Sequence, residues 1–160
     1  MSLLVLSLGS NIQRRKHMRY ALRELTRCFG ELLQSPLYQS RSVGFDGPDF
    51  YNMVVAVETP KALEEVVDAV REIERQAGRV RGEKRFESRS IDIDVLLYGA
   101  ANLRARGWDI PREEIEHAAY VLRPLADLLP DMHHPVSHEC FSAMWDAFDD
   151  LSQPLERVSL

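Results

Sequence analysis

The fold is decided at residues 91–98, which read IDIDVLLY. The stretch alternates between two sets of side chains, as a half-buried β-strand does. We expect the apolar set, Ile91, Ile93, Val95 and Leu97, to face the core. The other face then carries Asp92, Asp94, Leu96 and Tyr98. Two carboxylates therefore follow each other along one side of a single strand.

Two elements are predicted in the first thirty residues. Leu3 to Leu8 is a short apolar run that ends in a Gly-Ser-Asn turn, which is typical of a buried strand. Residues 14–29 carry apolar side chains at helical spacing, and Gly30 supplies a stop. The outer face of this helix is basic from Arg14 to Arg27.

Residues 32–40 and 50–58 are predicted to be strands, joined by a loop that is rich in glycine and proline. Thr59 is the candidate N-cap of a second helix, with Pro60 at its first position, and Gly78 is its expected end. Further helical pieces are expected around 114–128 and 138–149.

The predicted order of elements is β-α-β-β-α-β. This order is typical of the α+β ferredoxin-like sandwich, an antiparallel sheet with helices packed on it. The chain of 160 residues fits one such domain, residues 1–160, with a mostly helical C-terminal extension.

Composition excludes several classes of protein. The 45% hydrophobic and 28% charged content is that of a soluble globular domain, and the net charge of −5 argues against a general nucleic-acid binder. Two cysteines without metal-ligand spacing favour a reducing compartment. No apolar run has the length of a membrane span or a signal-peptide core, so we expect a cytoplasmic protein.

A basic loop directly precedes the two aspartates. Arg79 to Arg89 contains five positive and two negative side chains, a local net charge of +3. Asp92 and Asp94 lie about 7 Å apart on one face of the strand and repel each other unless a cation lies between them. Carboxylates suit Mg²⁺ and arginines suit phosphate, which together are the minimal equipment for phosphoryl-type transfer.

Simpler interpretations stay open on these residues alone. An Asp-x-Asp pair or an arginine-rich loop is, by itself, more often a solvated surface than a site. A ferredoxin-like RNA-binding module that uses the basic face of the first helix is a second class of function, although the predicted strands show no motif of base-stacking aromatics and the net charge is wrong for it.

The same stretch resembles the signature of a known family. The matching residues are GRVR at 78–81, Arg85, Arg89 and SIDIDVLLYG at 90–99. Five shorter segments support it: LGSN at 8–11, 38–44, FYN at 50–52, AYVLRPL at 119–125 and HPV at 134–136. Together they resemble 6-hydroxymethyl-7,8-dihydropterin pyrophosphokinase, an enzyme of folate biosynthesis that transfers the β,γ-diphosphate of ATP to the pterin hydroxymethyl group and releases AMP.

The resemblance assigns roles to individual residues. Asp92 and Asp94 would hold two Mg²⁺ ions against the ATP phosphates, and Arg79 and Arg89 would be catalytic-loop arginines. The residues matched to ATP binding are Glu74, Arg81, Arg85 and Arg112. The residues matched to pterin binding are Ser40, Val43, Phe50, Asn52 and Tyr120, with the two rings stacking on the pterin. Without the resemblance, Phe50 and Tyr120 would be read as core residues and Asn52 as a turn residue.

The resemblance also implies a monomer that binds small molecules, with neither nucleic acid nor a membrane as partner. The chain departs from the family pattern in the loops near ATP. Arg112 stands where a histidine is usual and is followed by Glu113, Ala118 stands where an arginine is common, and Phe86 replaces a tryptophan. The first helix is unusually basic at its start. These departures leave open a divergent paralogue that acts on, or merely binds, a related pterin.

Overall fold

The computed structural model describes residues 1–42, 47–78 and 90–160. Its centre is an antiparallel sheet whose strands are β1 (Ser2–Ser10), β2 (Leu33–Gln34), β3 (Leu37–Ser40), β4 (Phe50–Thr59), β5 (Asp92–Tyr98) and β6 (Glu156–Val158). The strand order is β5-β1-β4-β3-β6, and β2 also pairs with β4. Every pairing is antiparallel, and the first four strands of this order have the arrangement predicted for a ferredoxin-like sandwich.

Helices cover both faces of the sheet. On one face lie α1 (Arg14–Phe29) and α2 (Leu63–Gln76), which share a core with Leu4, Leu6 and Leu8 of β1. On the other face lie α3 (Glu114–His117), α4 (Ala119–Leu128) and α5 (Phe141–Asp146), around Val5 and Val54. Because both faces are buried, β1 and β4 are apolar almost continuously rather than alternating.

The first helix has the predicted bounds, but the second does not. We expected Thr59 and Pro60 to open α2, whereas the helix begins at Leu63. Thr59 is the last residue of β4 and pairs with Ser2. Its hydroxyl oxygen accepts the amide of Lys61 at 3.2 Å, and the Glu65 carboxylate accepts the amide of Ala62 at 3.2 Å at the helix start. Thr59 and Pro60, which have the residue types of a helix start, therefore form the turn before the helix.

The predicted strand 32–40 is divided by Pro36. Residues Leu33–Gln34 and Leu37–Ser40 form separate strands on either side of it. Proline has no amide hydrogen to donate, so a continuous ladder cannot pass through it. The two short strands nevertheless both pair with β4, as the prediction required.

The strict alternation expected in β5 fails near its end. Leu6 lies opposite Val95 while its neighbour Val5 lies opposite Leu97, so β5 has one extra residue there. This bulge turns Leu97 to the same core as Leu96 and turns Tyr98 to the opposite core. The prediction that Leu97 faces with Ile93 was therefore wrong, but Asp92 and Asp94 precede the bulge and keep the expected face.

The C-terminal part is less helical than predicted. The expected helix over 114–128 is interrupted at Ala118, whose backbone is extended, and the helix expected over 138–149 is confined to Phe141–Asp146. A 3₁₀ turn covers Arg104–Arg106. The chain ends in β6, an unpredicted strand that pairs with β3. Within the described residues, no helix is long and apolar enough to cross a membrane.

Candidate active site

One row of residues crosses four strands and organises the site. Gly9 of β1 pairs with Asp92 of β5 on one side and with Asn52 of β4 on the other, and Asn52 pairs with Tyr38 of β3. Neighbouring strands lie about 5 Å apart, and paired residues project to the same face. That face is the one covered by α3 and α4. The row therefore places a carboxylate and an amide about 10 Å apart across a glycine.

The aspartates form a concentration of negative charge at one end of this row. The side chain of Asp94 is 19% exposed. Burial, and then the charge of Asp92, raise the pKa of Asp94 to about 7, while Arg112 acts in the opposite direction. Two carboxylates that are partly buried and repel each other are stabilised by added positive charge.

Arg112 supplies part of that charge. Its Nη2 lies 3.5 Å from Oδ2 of Asp94, and its Nε donates to Oε1 of Glu114 at 2.8 Å. Its backbone amide donates to the carbonyl of Leu96 at 3.0 Å, which ties residue 112 to β5 beside the aspartates. We predicted from the sequence that Arg112 binds ATP. The structure places it beside Asp94, a predicted metal ligand.

The carboxylate pair fits Mg²⁺ in its chemistry. Magnesium is commonly bound through one or two carboxylates, with water and substrate phosphate oxygens completing its octahedron. In the part of the chain that the structure describes, no group of three or more His, Cys, Asp or Glu side chains could form a complete protein cage. Asp92 and Asp94 are therefore suited to a cation that arrives with phosphate.

Glu74 lies on the opposite side of the strand from this pair. It belongs to α2, its residue is 1% exposed, and its Oε2 accepts the backbone amide of Ile93 at 2.9 Å. Ile93 stands between the two aspartates, so Glu74 fixes the backbone that presents them. Its predicted contact with ATP stays a prediction, and this anchoring role was not foreseen from the sequence.

Three of the predicted pterin residues, Asn52, Ser40 and Phe50, lie at the other end of the row. Asn52 is buried, and its Oδ1 accepts the hydroxyl of Ser40 at 2.6 Å, which leaves the amide hydrogens on the opposite side of the group. A Cβ on Gly9 would lie 3.2 Å from Nδ2 of Asn52 and 3.8 Å from Cδ1 of Phe50. The absence of a side chain at Gly9 therefore leaves the Asn52 amide uncrowded. Asn52 lies in a strand, so the turn interpretation was wrong.

Phe50 and Tyr120 are half-buried rather than core residues. Phe50 opens β4 opposite Ser40, and Tyr120 lies in the first turn of α4 against the core on that face. The Tyr120 hydroxyl donates to Oε2 of Glu114 in a short hydrogen bond. Each ring therefore keeps an accessible part, as a stacking residue requires.

Residues of the first turn hold the segments that flank the site. The hydroxyl of Ser10 donates to the carbonyl of Ser90 in a short bond, and Asn11 donates to the carbonyl of Pro48 at 3.2 Å. Arg14 donates to the carbonyl of Asp49 at 3.0 Å and lies 4.1 Å from the centre of the Tyr51 ring. Sequence reasoning identified the Gly-Ser-Asn turn and the basic start of the first helix. It did not connect either of them with the loop between β3 and β4.

Several predicted residues lie outside the described part of the chain. They are Val43, Arg79, Arg81, Arg85, Arg89 and the departure Phe86. The roles assigned to these six residues stay predictions.

The chain is similar in sequence to known proteins. A family model described as 7,8-dihydro-6-hydroxymethylpterin-pyrophosphokinase (HPPK) matches residues 5–130. A 2-amino-4-hydroxy-6-hydroxymethyldihydropteridine pyrophosphokinase of Pseudomonas aeruginosa is 38% identical over 133 residues, covering 81% of this chain and 82% of the relative. The Haemophilus influenzae protein of the same name is 30% identical over 136 residues, covering 82% of this chain and 84% of that protein.

Solved structures give the same fold. The wild-type HPPK-DHPS of Plasmodium falciparum superposes with a TM-score of 0.68 at 16% identity, over 91% of this chain and 44% of that one. This chain thus spans less than half of that longer protein, and the likeness concerns the fold alone. The ferredoxin-like prediction is confirmed by it. The match over residues 5–130 and the identity to the bacterial enzymes show that the chain belongs to the 7,8-dihydro-6-hydroxymethylpterin-pyrophosphokinase family.

Proposed function

We propose that this protein transfers diphosphate from ATP to the hydroxymethyl group of 6-hydroxymethyl-7,8-dihydropterin and releases AMP. The observation that carries the proposal is the row of Asp92, Gly9 and Asn52, which places a cation-seeking carboxylate and a hydrogen-bonding amide on either side of a residue without a side chain. Family membership supports the same reaction.

In this reaction the hydroxymethyl oxygen forms a bond to the β-phosphorus of ATP. The bond from that phosphorus to the oxygen shared with the α-phosphate breaks, AMP leaves with this oxygen, and the hydroxyl proton passes to water. Catalysis of such a transfer is mostly positioning and neutralisation of charge. The protein must therefore hold two substrates in line and supply positive charge between them.

We assign the phosphate side to Asp92, Asp94 and Arg112. The aspartates would hold two Mg²⁺ ions, which when bound would neutralise charge on the transferred group. Arg112 is tethered to Glu114 and has nitrogens that can reach phosphate. The predicted arginines Arg79, Arg81, Arg85 and Arg89 complete this side of the proposal.

We assign the pterin side to Asn52, Ser40, Phe50, Tyr120 and Val43. The hydrogen bond from Ser40 fixes the amide of Asn52, so that its N–H groups are aimed at the edge of a heterocycle. The half-buried rings of Phe50 and Tyr120 would stack on the faces of the pterin. A single domain, a monomer and a cytoplasmic setting stay predictions that accompany this assignment.

The test is AMP release from ATP and Mg²⁺, measured with and without the pterin. We expect AMP only when the pterin is present, and a fall in kcat of about 10²–10³ in Asp92→Asn and in Asp94→Asn. Asp68→Asn, which changes an exposed carboxylate on α2, is the matched control and should behave as the wild type. Wild-type rates in both active-site variants would refute the metal assignment.

A divergent paralogue is the second candidate, because Arg112 already contacts Asp94 where the family usually has a histidine. Such a protein would be stabilised against heat by pterin or ATP while releasing no AMP. Assaying several pterins separates it from the enzyme. The RNA-binding alternative gains no support from the sheet, since helices cover both of its faces in the described ranges.

A further inference from the structure

The Glu114 carboxylate contacts residues on both the phosphate side and the pterin side of the proposed site. Oε1 of Glu114 accepts Nε of Arg112 at 2.8 Å, and Oε2 of the same group accepts the hydroxyl of Tyr120. Arg112 continues to Asp94 at 3.5 Å. An unbroken chain of polar contacts therefore runs from a predicted metal ligand to a predicted pterin-stacking ring.

We propose that Glu114 is a positioning residue that couples nucleotide binding to pterin binding, through Arg112 on one side and Tyr120 on the other. The proposal rests on the function proposed above and deepens it. It assigns a role to a residue for which neither the sequence nor the reaction itself provides one.

The burial of the residues that make these polar contacts supports a defined geometry. The side chains of Asp94, Arg112 and Glu114 are 19%, 23% and 21% exposed, so their contacts are shielded from water more than surface pairs are. The side chain of the neighbouring Glu113 is 71% exposed, and its Oε1 lies 3.5 Å from Nε2 of His117. Glu114 therefore differs from its neighbour in both burial and partners.

The coupling follows from the effect of each ligand on this series of polar contacts. A cation bound with ATP would neutralise Asp94 and so free Nη2 of Arg112 to turn toward phosphate, while Nη1 lies 3.8 Å from Oδ2 of Asp109. Nε of Arg112 can stay on Glu114 during this change, so the guanidinium and the carboxylate become fixed together. Tyr120 is held by the same carboxylate, and its ring is then ordered before the pterin arrives.

A ring that is ordered in advance binds the pterin at a lower entropic cost. By linkage, the pterin must strengthen nucleotide binding by the same factor. The tyrosine hydroxyl is essential to this argument, because a phenylalanine at position 120 would stack equally well but could not bind Glu114. The proposal therefore separates the role of the ring from the role of its hydroxyl.

The experiment measures the Kd of 6-hydroxymethyl-7,8-dihydropterin by calorimetry, with and without saturating α,β-methylene-ATP and Mg²⁺. We expect the analogue to tighten pterin binding in the wild type by about fivefold or more. Glu114→Gln and Tyr120→Phe should each bring this factor close to one. The double variant should lose no more than either single one, since both break the same connection.

Glu113→Gln is the matched control and should keep the wild-type coupling factor. Thermal unfolding of each variant shows that the comparison concerns folded protein. Wild-type coupling in both folded single variants would overturn the proposal, and so would a wild-type enzyme that releases AMP but shows no coupling. Failure of the wild type to bind the pterin at all would instead refute the proposed function, and this inference with it.

Discussion

Replacing Gly9 by alanine tests whether the position between Asp92 and Asn52 is where the pterin side of the reaction lies. The new Cβ would lie 3.2 Å from Nδ2 of Asn52, which is tighter than ordinary van der Waals contact, and 3.8 Å from Cδ1 of Phe50. The amide must give way by a few tenths of an ångström. It cannot do so freely, because its Oδ1 is held by Ser40 at 2.6 Å.

The cost to catalysis can be estimated from this geometry. Loss of one neutral hydrogen bond to the pterin costs about 0.5–1.5 kcal/mol, which is a factor of roughly 2 to 12. A substrate displaced by about 1 Å can lose about a hundredfold in rate. We therefore expect Gly9→Ala to lower kcat/KM for the pterin by about 10- to 100-fold, with a much smaller effect on the KM for ATP.

The effect on folding should be small or of opposite sign. Gly9 is the last residue but one of β1 and is not among the described residues with a positive φ, so alanine can adopt its backbone conformation. Alanine at such a position gains about 0.5–1 kcal/mol over glycine, which offsets the crowding at Asn52. The melting temperature should therefore shift by no more than about 4 °C.

The assay is AMP release at varied pterin concentration, together with thermal unfolding. The decisive control is the Asn52→Ala background, which removes the group that the new methyl would crowd. There, Gly9→Ala should cost much less than it does in the wild type. A loss of equal size in both backgrounds would refute the reasoning, as would wild-type kcat/KM in the single variant.

Three further variants test individual contacts. Ser40→Ala removes the bond that orients Asn52, and the KM for the pterin should rise by about 2- to 10-fold with little change in kcat; an unchanged KM would contradict the assignment. Glu74→Ala leaves the buried amide of Ile93 without its acceptor, and urea unfolding should show a loss of about 1–3 kcal/mol; a smaller loss would mean that Glu74 does not anchor β5. Burial lowers the pKa of His134 below its ordinary value, so the folded state binds fewer protons than the unfolded chain and stability falls as the pH drops below about 6.5. In His134→Asn, which keeps an acceptor for the amides of residues 136 and 137, that part of the pH dependence should disappear from urea unfolding; the same slope as in the wild type would contradict it.

The parts of the fold that sequence predicted are those with a local cause. The helix over 14–29 is specified by its own apolar spacing, and its buried residues Met18, Ala21 and Leu25 follow that spacing. The bulge in β5 has no such cause, because it depends on how β5 pairs with Val5 and Leu6 of a strand almost ninety residues earlier. An alternating pattern cannot reveal a register shift that only the partner strand imposes.

The same distinction explains the incorrect start of α2. Thr59 and Pro60 have the residue types of a helix start, but Thr59 pairs with Ser2 as the last residue of β4. A local preference for capping is worth about 1 kcal/mol, and a central strand that is paired along its whole length outweighs it. The order of elements was predictable in spite of this, because a boundary shifted by a few residues leaves the order unchanged.

The site shows why charge had to be read locally. Asp94, Asp109 and Glu114 each pair with the guanidinium of Arg112, and Asp92 acts on Asp94, so this cluster of described residues has a net charge of −3 when all are ionised. Such a cluster repels a triphosphate at close range, however well its shape fits. In the proposed function two sources of positive charge would reverse this sign: divalent cations on the aspartates, and the basic stretch from Arg79 to Arg89, with its local charge of +3. In the proposed function the two act at different places: the cations would lie between the aspartates and the phosphates, and the arginines would meet the departing phosphate.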